Sequence, residues 1–203
     1  MLNMISCIVL AAGLSTRFGS SKALAPFGNT TAITYLLRKL CASQISDIVI
    51  VLGNDKDSIL PHIFKHKSIR VVYNNDYKLG QTSSVQTGLK KISSKAKGFM
   101  ILPVDCPFVQ IETINNLIRY FTKNQPDILI PAYNGRKGHP PVFHSELRNA
   151  ILKLPHTKGL NAITQNSIYT VETLNFPDSG ITQTFNTLEE LNQILKSQDC
   201  SVI

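Results

Sequence analysis

The chain has 203 residues, of which 43% are hydrophobic and 17% charged, and its formal net charge is +8. This length and composition predict a single globular domain, residues 1–203, and exclude an intrinsically disordered chain. No apolar run approaches the roughly 18 residues that span a bilayer, and the first residues lack the basic region of a signal peptide. We therefore expect no membrane partner. Four cysteines without metal-site spacing predict reduced thiols in a cytoplasmic protein: Cys7, Cys41, Cys106 and Cys200.

The positive charge is concentrated on residues 1–169, because residues 170–203 carry one basic and five acidic side chains. Such a charge suits a polyphosphate ligand or a nucleic acid, and a solvated basic surface explains it as well. The lysines between Lys90 and Lys97 have no interleaved aromatic residues, which disfavours a platform for single-stranded nucleic acid. We therefore expect no nucleic-acid partner, with a nucleic-acid-binding protein kept as a rival interpretation of the charge.

Strand-like and helix-like patterns alternate along the chain. The predicted strands are Ile5–Leu10, Asp47–Leu52, Ile69–Tyr73, Phe99–Leu102, Asp127–Pro131, Pro141–His144 and Ile168–Glu172. The predicted helices are Thr31–Ser43, Asp55–Lys65, Ser83–Ile92, Glu112–Lys123, Glu146–Leu154 and Leu188–Lys196. Most strands are continuous apolar runs, so we expect an α/β fold with a mostly parallel central sheet and helices on both faces. An antiparallel excursion is expected at Gly135–Pro141.

The segment Leu10–Lys22 follows the first predicted strand directly and reads Leu-Ala-Ala-Gly-Leu-Ser-Thr-Arg-Phe-Gly-Ser-Ser-Lys. Its Ala-Ala-Gly step allows a ligand to approach the backbone closely, and Arg17 and Lys22 supply two cations. A Walker P-loop is excluded, because five residues separate Gly13 from Gly19 and no Lys-Ser/Thr pair follows. The segment predicts a site for the phosphates of a nucleoside triphosphate, and a surface loop with unpaired cations is the alternative.

The segment Gly80–Leu89 places several hydroxyl and amide side chains at the start of a predicted helix. Free N–H groups and the helix dipole add to these side chains. Gln81, Thr82 and Ser83 are candidates to contact a base edge or a ribose. Ser83 and Gln86 also have the spacing of a capping box, and helix capping is the better explanation for that pair alone.

Asp105 directly follows a predicted buried strand and is held between Pro103 and Pro107. Mg²⁺ in proteins commonly takes one or two rigid carboxylates, with phosphate oxygens and water filling its other positions. Asp105 is therefore a candidate ligand for Mg²⁺, and capping of the following helix is the alternative.

Two further segments carry candidate residues. Asn186 lies just before the last predicted helix and offers an amide oxygen as a second, neutral metal ligand. It also begins a capping segment in which Thr187 and Glu190 have capping-box spacing, and this interpretation is equally good. Arg136 and His139 belong to a cationic segment that is suited to an anionic acceptor, with a hairpin turn as the alternative.

These segments, in this order, resemble the MobA-like nucleotidyltransferases, which attach a nucleotide to molybdopterin. Leu10–Lys22 looks like the family's first signature, Gly80–Leu89 like its Gly-x-Ser-x-Ser segment, Leu102–Pro107 like its metal motif and Gly135–Phe143 like its Arg-Gly-His/Asn-Pro-Val element. The resemblance spans nearly the whole chain. Ala12, where the guanylyltransferase branch usually has Gly, is similar to the cytidylyltransferase branch.

The resemblance implies a Rossmann-like three-layer α/β/α sandwich of the nucleotide-diphospho-sugar transferase type, which uses CTP or a related triphosphate with Mg²⁺. It implies that Arg17 and Lys22 hold the triphosphate and that Asp105 holds the metal. It also implies contacts to the base and ribose from Leu10, Ala11, Ala12, Gly13, Gly80, Gln81, Thr82, Ser83 and Ser84.

Two segments depart from the family's pattern. Asn186 replaces an acidic residue in the terminal motif, and His156–Asn161 lacks the usual Asp and Arg of a segment expected near the acceptor. The resulting hypothesis is a Mg²⁺-dependent enzyme that moves CMP from CTP onto a molybdopterin-type acceptor and releases pyrophosphate. The alternatives are a guanylyltransferase or sugar-phosphate nucleotidyltransferase of the same fold, and a non-catalytic protein that binds a nucleotide or cofactor.

Overall fold

A central sheet of eight strands forms the middle layer of the molecule. In a computed structural model, which describes residues 4–197, ten strands are present. They are β1 (Met4–Ala11), β2 (Pro26–Phe27), β3 (Thr30–Thr31), β4 (Asp47–Leu52), β5 (Ile69–Tyr73), β6 (Ala96–Pro103), β7 (Ile128–Tyr133), β8 (Arg136–Lys137), β9 (Val142–His144) and β10 (Val171–Asn175). The large sheet has the order β10-β7-β9-β6-β1-β4-β5, with β8 paired to β7, while β2 and β3 form a separate small hairpin.

The sheet is mostly parallel, as predicted. β1 pairs in parallel with β4 and β6, β4 with β5, and β7 with β10. The antiparallel excursion is also present, because β8 runs antiparallel to β7, and β9 runs antiparallel to both β6 and β7. Parallel strands end at one edge of a sheet, so the loops that follow β1, β4, β5 and β6 lie together.

Helices cover both faces of this sheet and complete the three layers. They are α1 (Ala32–Ala42), α2 (Lys56–Ile59), α3 (Gln81–Leu89), α4 (Ile111–Asn124), α5 (Arg148–Leu152), α6 (Asn161–Thr164) and α7 (Leu188–Ser197). α1 and α4 pack on one face, and α3, α5 and α6 on the other. Alternate residues of β1 enter the two cores: Cys7 and Val9 face α1 and α4, whereas Ile8 and Leu10 face α3.

Several predicted elements differ in their bounds from the structure. The helix predicted over 55–65 is only the short α2, followed by a 3₁₀ turn at Leu60–His62, because Pro61 has no N–H to donate. The last strand begins at Val171 instead of Ile168. The helix predicted from Ser83 begins at Gln81 with Gly80 as its N-cap.

The capping prediction for Ser83 and Gln86 is therefore wrong. Gln86 lies inside α3, is buried, and its amide donates to the carbonyls of Ile151, Leu152 and Leu154. The capping prediction for the last helix is confirmed, since the Glu190 N–H donates to Thr187 Oγ1 over 3.1 Å.

Three cysteines lie within the described residues, and all three are free thiols: Cys7, Cys41 and Cys106. Burial raises the pKa of each of them. Cys200 lies outside the described residues, as do the outermost positions of the predicted single domain. Within residues 4–197 there is no helix long and apolar enough to cross a membrane.

Candidate functional site

A cavity of about 390 Å³ opens at the carboxyl edge of the sheet, where three of the predicted segments meet. The first loop supplies one wall, the N-terminus of α3 a second, and the end of β6 a third. The predicted residues that line it are Leu10, Ala11, Ala12, Gly13, Arg17, Lys22, Gly80, Gln81, Ser84 and Asp105. Tyr77 and Lys78, which no sequence pattern pointed to, also line it.

The first loop is held in place at both ends. At its start, the Leu10 carbonyl accepts from the Val104 N–H over 3.0 Å, which joins the end of β1 to the residue before Asp105. Toward its end, the Lys22 N–H donates to Ser15 Oγ over 3.1 Å. Arg17 lies between these anchors, is exposed, and reaches into the cavity lining. The loop backbone is therefore held by hydrogen bonds on both sides of Arg17, whose long cationic side chain is exposed.

Lys22 brings the predicted phosphate and metal residues to one point. Its ammonium nitrogen lies 2.7 Å from Asp105 Oδ2 and 3.0 Å from Asn186 Oδ1. The Lys22 and Asp105 side chains are 14% and 22% exposed, so their ion pair is partly shielded from water. The order along the chain separates these residues widely, and the fold alone brings them into contact.

A cluster of aromatic rings packs beside the contact between Lys22 and Asn186. Phe185, which precedes Asn186, is fully buried, and its ring centroid lies 5.6 Å from that of Phe18 in the first loop. Phe108 lies on its other side at 6.3 Å. The Asn186 N–H also donates to Glu190 Oε2 over 2.7 Å. These contacts hold Asn186 beside Lys22. Of the groups involved, the sequence patterns singled out Glu190 but none of the three aromatic rings.

The oxygen donors at this point fit a hard divalent cation. Asp105 and Asn186 direct one carboxylate and one amide oxygen toward the same place, which is the donor set that Mg²⁺ takes when phosphate and water complete its shell. Residues 4–197 contain no group of three or more His, Cys, Asp or Glu side chains placed to hold a metal on their own. The chain thus offers a partial ligand set that a substrate must complete.

Two predicted hydroxyl groups at α3 are used for structure. Thr82 Oγ1 donates to the Lys158 carbonyl over 2.7 Å, and Ser83 Oγ lies 2.7 Å from the Gly80 carbonyl. Neither residue lines the cavity. Gly80 has φ of +97°, a conformation that L side chains rarely adopt, and this turn leads into the start of α3, where Gly80 and Gln81 line the cavity.

Asn74 is a further buried residue that sequence reasoning missed. It is 3% exposed at the end of β5, and its amide donates to Ser83 Oγ over 2.9 Å and to Ser84 Oγ over 3.0 Å. An asparagine after a strand carries no motif, so only the fold reveals that it fixes the start of α3.

A second cavity, of about 360 Å³, lies on the other side of Asp105. Arg136 and His139, the candidate residues for an acceptor, both line it, together with the segment 181–184, which no pattern indicated. It shares Gln81, Pro103 and Asp105 with the first cavity. The two cavities are therefore neighbours that meet at one carboxylate.

The His139 ring is largely enclosed in this second cavity. Burial lowers its pKa, while the charge of Asp105 and a hydrogen bond to the Ile101 backbone act in the opposite direction. Its Nδ1 atom is buried without a hydrogen-bond partner in the described structure. Gly138 is required beside it, because a Cβ there would lie 2.1 Å from the Ile181 carbonyl oxygen.

The divergent segment 156–161 packs against α3 and lines neither cavity. His156 Nε2 lies 2.8 Å from Gln86 Oε1. Because the Gln86 amide group donates to three carbonyls, its oxygen is the acceptor in this contact and His156 donates. The departure from the family's pattern thus falls on a segment that braces α3.

A doubly wound sheet with a cationic loop, a helix N-terminus and a carboxylate at its carboxyl edge defines a nucleotide-binding α/β protein. Sequence comparison gives the family within this class. The model of the MobA-like NTP transferase domain matches residues 7–171, and the chain belongs to that family. Its fold is that of the nucleotidyltransferases.

Individual relatives agree with this assignment. The chain is 30% identical over 152 residues to a probable molybdenum cofactor guanylyltransferase of Bacillus cereus, with 72% of each chain covered. Among solved structures, a homologue of Rv0371c from Mycobacterium sp. strain JC1 matches with a TM-score of 0.84 and 23% identity over 95% of this chain and 96% of that one. Rv0371c of Mycobacterium tuberculosis in complex with manganese matches with a TM-score of 0.79 and 22% identity over 96% and 99%.

Proposed function

We propose that this chain is a Mg²⁺-dependent enzyme that moves a nucleotidyl group from a nucleoside triphosphate onto a phosphate of a molybdopterin-type acceptor. The observation that carries the proposal is that Asp105 borders both cavities. A triphosphate beside Arg17 and Lys22 and an anionic acceptor beside Arg136 and His139 would meet at this carboxylate. Such an arrangement supplies the proximity on which transfer between two anions depends.

In the proposed reaction an oxygen of the acceptor phosphate attacks the α-phosphorus, the bond to the oxygen that bridges to the β-phosphorus breaks, and pyrophosphate leaves. Arg17 and Lys22 neutralise the charge that collects on the α-phosphoryl group and the leaving pyrophosphate. Bound at Asp105 and Asn186, Mg²⁺ supplies further neutralisation. No general base is needed, because the acceptor phosphate is ionised near neutral pH.

The base of the nucleotide has two candidates. CTP remains the prediction from Ala12. This residue is 2% exposed and packs closely against Gly53. A Cβ added to Gly53 would lie only 2.9 Å from the Ala12 Cβ. GTP is the second candidate, because the curated relatives carry the name of guanylyltransferases. The buried position of the Ala12 methyl group means that its effect on base choice would act through the backbone of the first loop.

The decisive experiment measures pyrophosphate release with CTP, GTP, ATP and UTP, each without an acceptor, with molybdopterin and with a sugar phosphate. We expect release with one of the first two and only when molybdopterin is present. Release with GTP alone would assign the guanylyl activity. Release with a sugar phosphate and none with molybdopterin would overturn the acceptor, and nucleotide binding without any release would favour a non-catalytic protein.

A further inference from the structure

The contact of Lys22 with both oxygens of the metal site has a consequence for metal binding. We propose that Lys22 makes this site take a divalent cation as its polyphosphate complex and exclude the free cation. This inference rests on the proposed function, because it concerns the site assigned there to Mg²⁺. It begins from one ammonium group 2.7 Å from Asp105 Oδ2 and 3.0 Å from Asn186 Oδ1.

The charge at this point is already balanced. Asp105 contributes one negative charge, Lys22 contributes one positive charge, and Asn186 is neutral. The nearby Glu190 carboxylate accepts from the Asn186 backbone N–H over 2.7 Å. Residues 4–197 contain no group of three or more His, Cys, Asp or Glu side chains placed to hold a metal. A free divalent cation that entered between the two oxygens would displace the ammonium group or remain at contact distance from it, and like charges in a partly shielded site repel strongly.

A polyphosphate removes this obstacle, because its oxygens offer Lys22 a new partner. Lys22 lines the same cavity as Arg17, so its side chain reaches the phosphate region without movement of the backbone. The backbone N–H of Lys22 keeps its hydrogen bond to Ser15 Oγ, 3.1 Å away. Its ammonium group leaves Asp105 and binds a phosphate oxygen. The phosphate oxygens also supply the ligands that the two protein oxygens leave unfilled. Binding of the metal and the polyphosphate is therefore mutually dependent.

The test measures Mn²⁺ binding by water proton relaxation enhancement, a signal that rises when a large molecule holds the ion and stays low when a small polyphosphate holds it. Inorganic tripolyphosphate is the second ligand, so the result does not depend on the base. The variants are Lys22→Met, Lys22→Arg, which keeps the charge, and Lys78→Met. Lys78 lines the same cavity and makes no hydrogen bond or ion pair with Asp105 or Asn186 in the described structure, so it is the matched control. Thermal unfolding checks that each variant is folded.

For the parent protein we expect little enhancement with Mn²⁺ alone and a clear rise when tripolyphosphate is added. Lys22→Met is expected to bind Mn²⁺ alone at least about tenfold more tightly than the parent protein, because a neighbouring like charge is gone. With Mn²⁺ alone, Lys22→Arg and Lys78→Met should resemble the parent protein. Adding Asp105→Asn to Lys22→Met should abolish the gain.

Two outcomes overturn the inference in different ways. If the parent protein binds Mn²⁺ alone as tightly as Lys22→Met does, Lys22 excludes nothing, and the proposed function stands. If neither protein binds Mn²⁺ with tripolyphosphate present, the metal site itself is wrong, and the metal dependence in the proposed function falls with it.

Discussion

Asp105 is the residue on which both halves of the site depend, because it lies between the two cavities and pairs with Lys22. Asp105→Asn keeps the size of the side chain and removes its charge. We expect turnover to fall by on the order of 10² to 10³, the usual cost of removing one electrostatic group from a transition state. Because Asp105 is partly exposed, the unfolding temperature should change little. Near-normal pyrophosphate release by this variant would remove Asp105 from the reaction.

His139 permits a test of the acceptor cavity separately from the nucleotide cavity. His139→Phe keeps a ring of similar bulk and removes both ring nitrogens, including Nδ1, the buried atom that has no partner in the described structure. It also removes the hydrogen bond to the Ile101 backbone. If this nitrogen contacts the acceptor, the KM for the acceptor should rise by about five- to tenfold, the equivalent of one lost hydrogen bond. The KM for the nucleotide should stay unchanged in steady-state kinetics. An equal rise in both constants would contradict an acceptor role.

The residues around the first cavity show which features of the site could be predicted from the sequence and which could not. The parallel sheet explains why Asp105, Lys22 and Gly80 line one cavity, since each follows a strand whose end lies at one edge. The hydroxyls of Thr82 and Ser83 were equally plausible ligands in the sequence, yet they bond backbone carbonyls. Which way a side chain points from the first turn of a helix depends on where that helix begins, and Gly80 sets this through its positive φ.

At the scale of elements, α3 shows how a single buried amide joins separate parts of the chain. Gln86 donates to three carbonyls at the end of α5 and accepts from His156. Gln86→Leu leaves these groups without partners, and we expect the free energy of unfolding to fall by about 2 to 4 kcal/mol. Urea denaturation measures this loss. Gln165→Leu, at an exposed position, is the matched control and should change stability by less than about 0.5 kcal/mol. Equal effects in the two variants would exclude this role of Gln86.

Elements differed in how well their bounds could be predicted, for physical reasons. β4 and β5 have the predicted bounds, because continuous β-branched runs between polar turns are unambiguous. α2 ends before Pro61, although the apolar spacing of the segment predicted a helix that continues past this residue. The hairpin of β2 and β3 and the short helix α6 carry too few apolar residues for a periodic signal, so the sequence did not predict them.

At the scale of the whole molecule, one partly buried lysine connects the helical layer to the loop that carries Asp105. Lys39 in α1 donates to the carbonyls of Pro107 and Val109, both over 2.8 Å, and lies 4.7 Å from the Tyr35 ring centroid. Burial lowers its pKa from 10.5 to about 8, against the opposing charge of Asp178. The folded protein therefore releases this proton at a lower pH than the unfolded chain does.

The sign of the resulting pH dependence follows from proton counting. Below pH 8 both states hold the proton, and above pH 10.5 neither does. Between these values the unfolded chain binds more protons, so the contribution of Lys39 to the free energy of unfolding rises with pH. The full gain is on the order of 3 kcal/mol, since each pKa unit corresponds to about 1.4 kcal/mol.

Lys39→Met lacks this gain, so the free energy of unfolding of the parent protein minus that of the variant should increase from pH 7.5 to pH 10. Urea denaturation of both proteins at the two pH values measures it, and the titration of all other groups cancels in the comparison. The exposed Lys90, changed in the same way, is the control and should give a constant difference. If the free energy of unfolding of the parent protein minus that of the variant falls as the pH rises, the folded state holds the charged form of Lys39 more strongly than the unfolded chain does. Lys39 would then fasten the Asp105 loop as a cation, and its substitution would weaken turnover most at neutral pH.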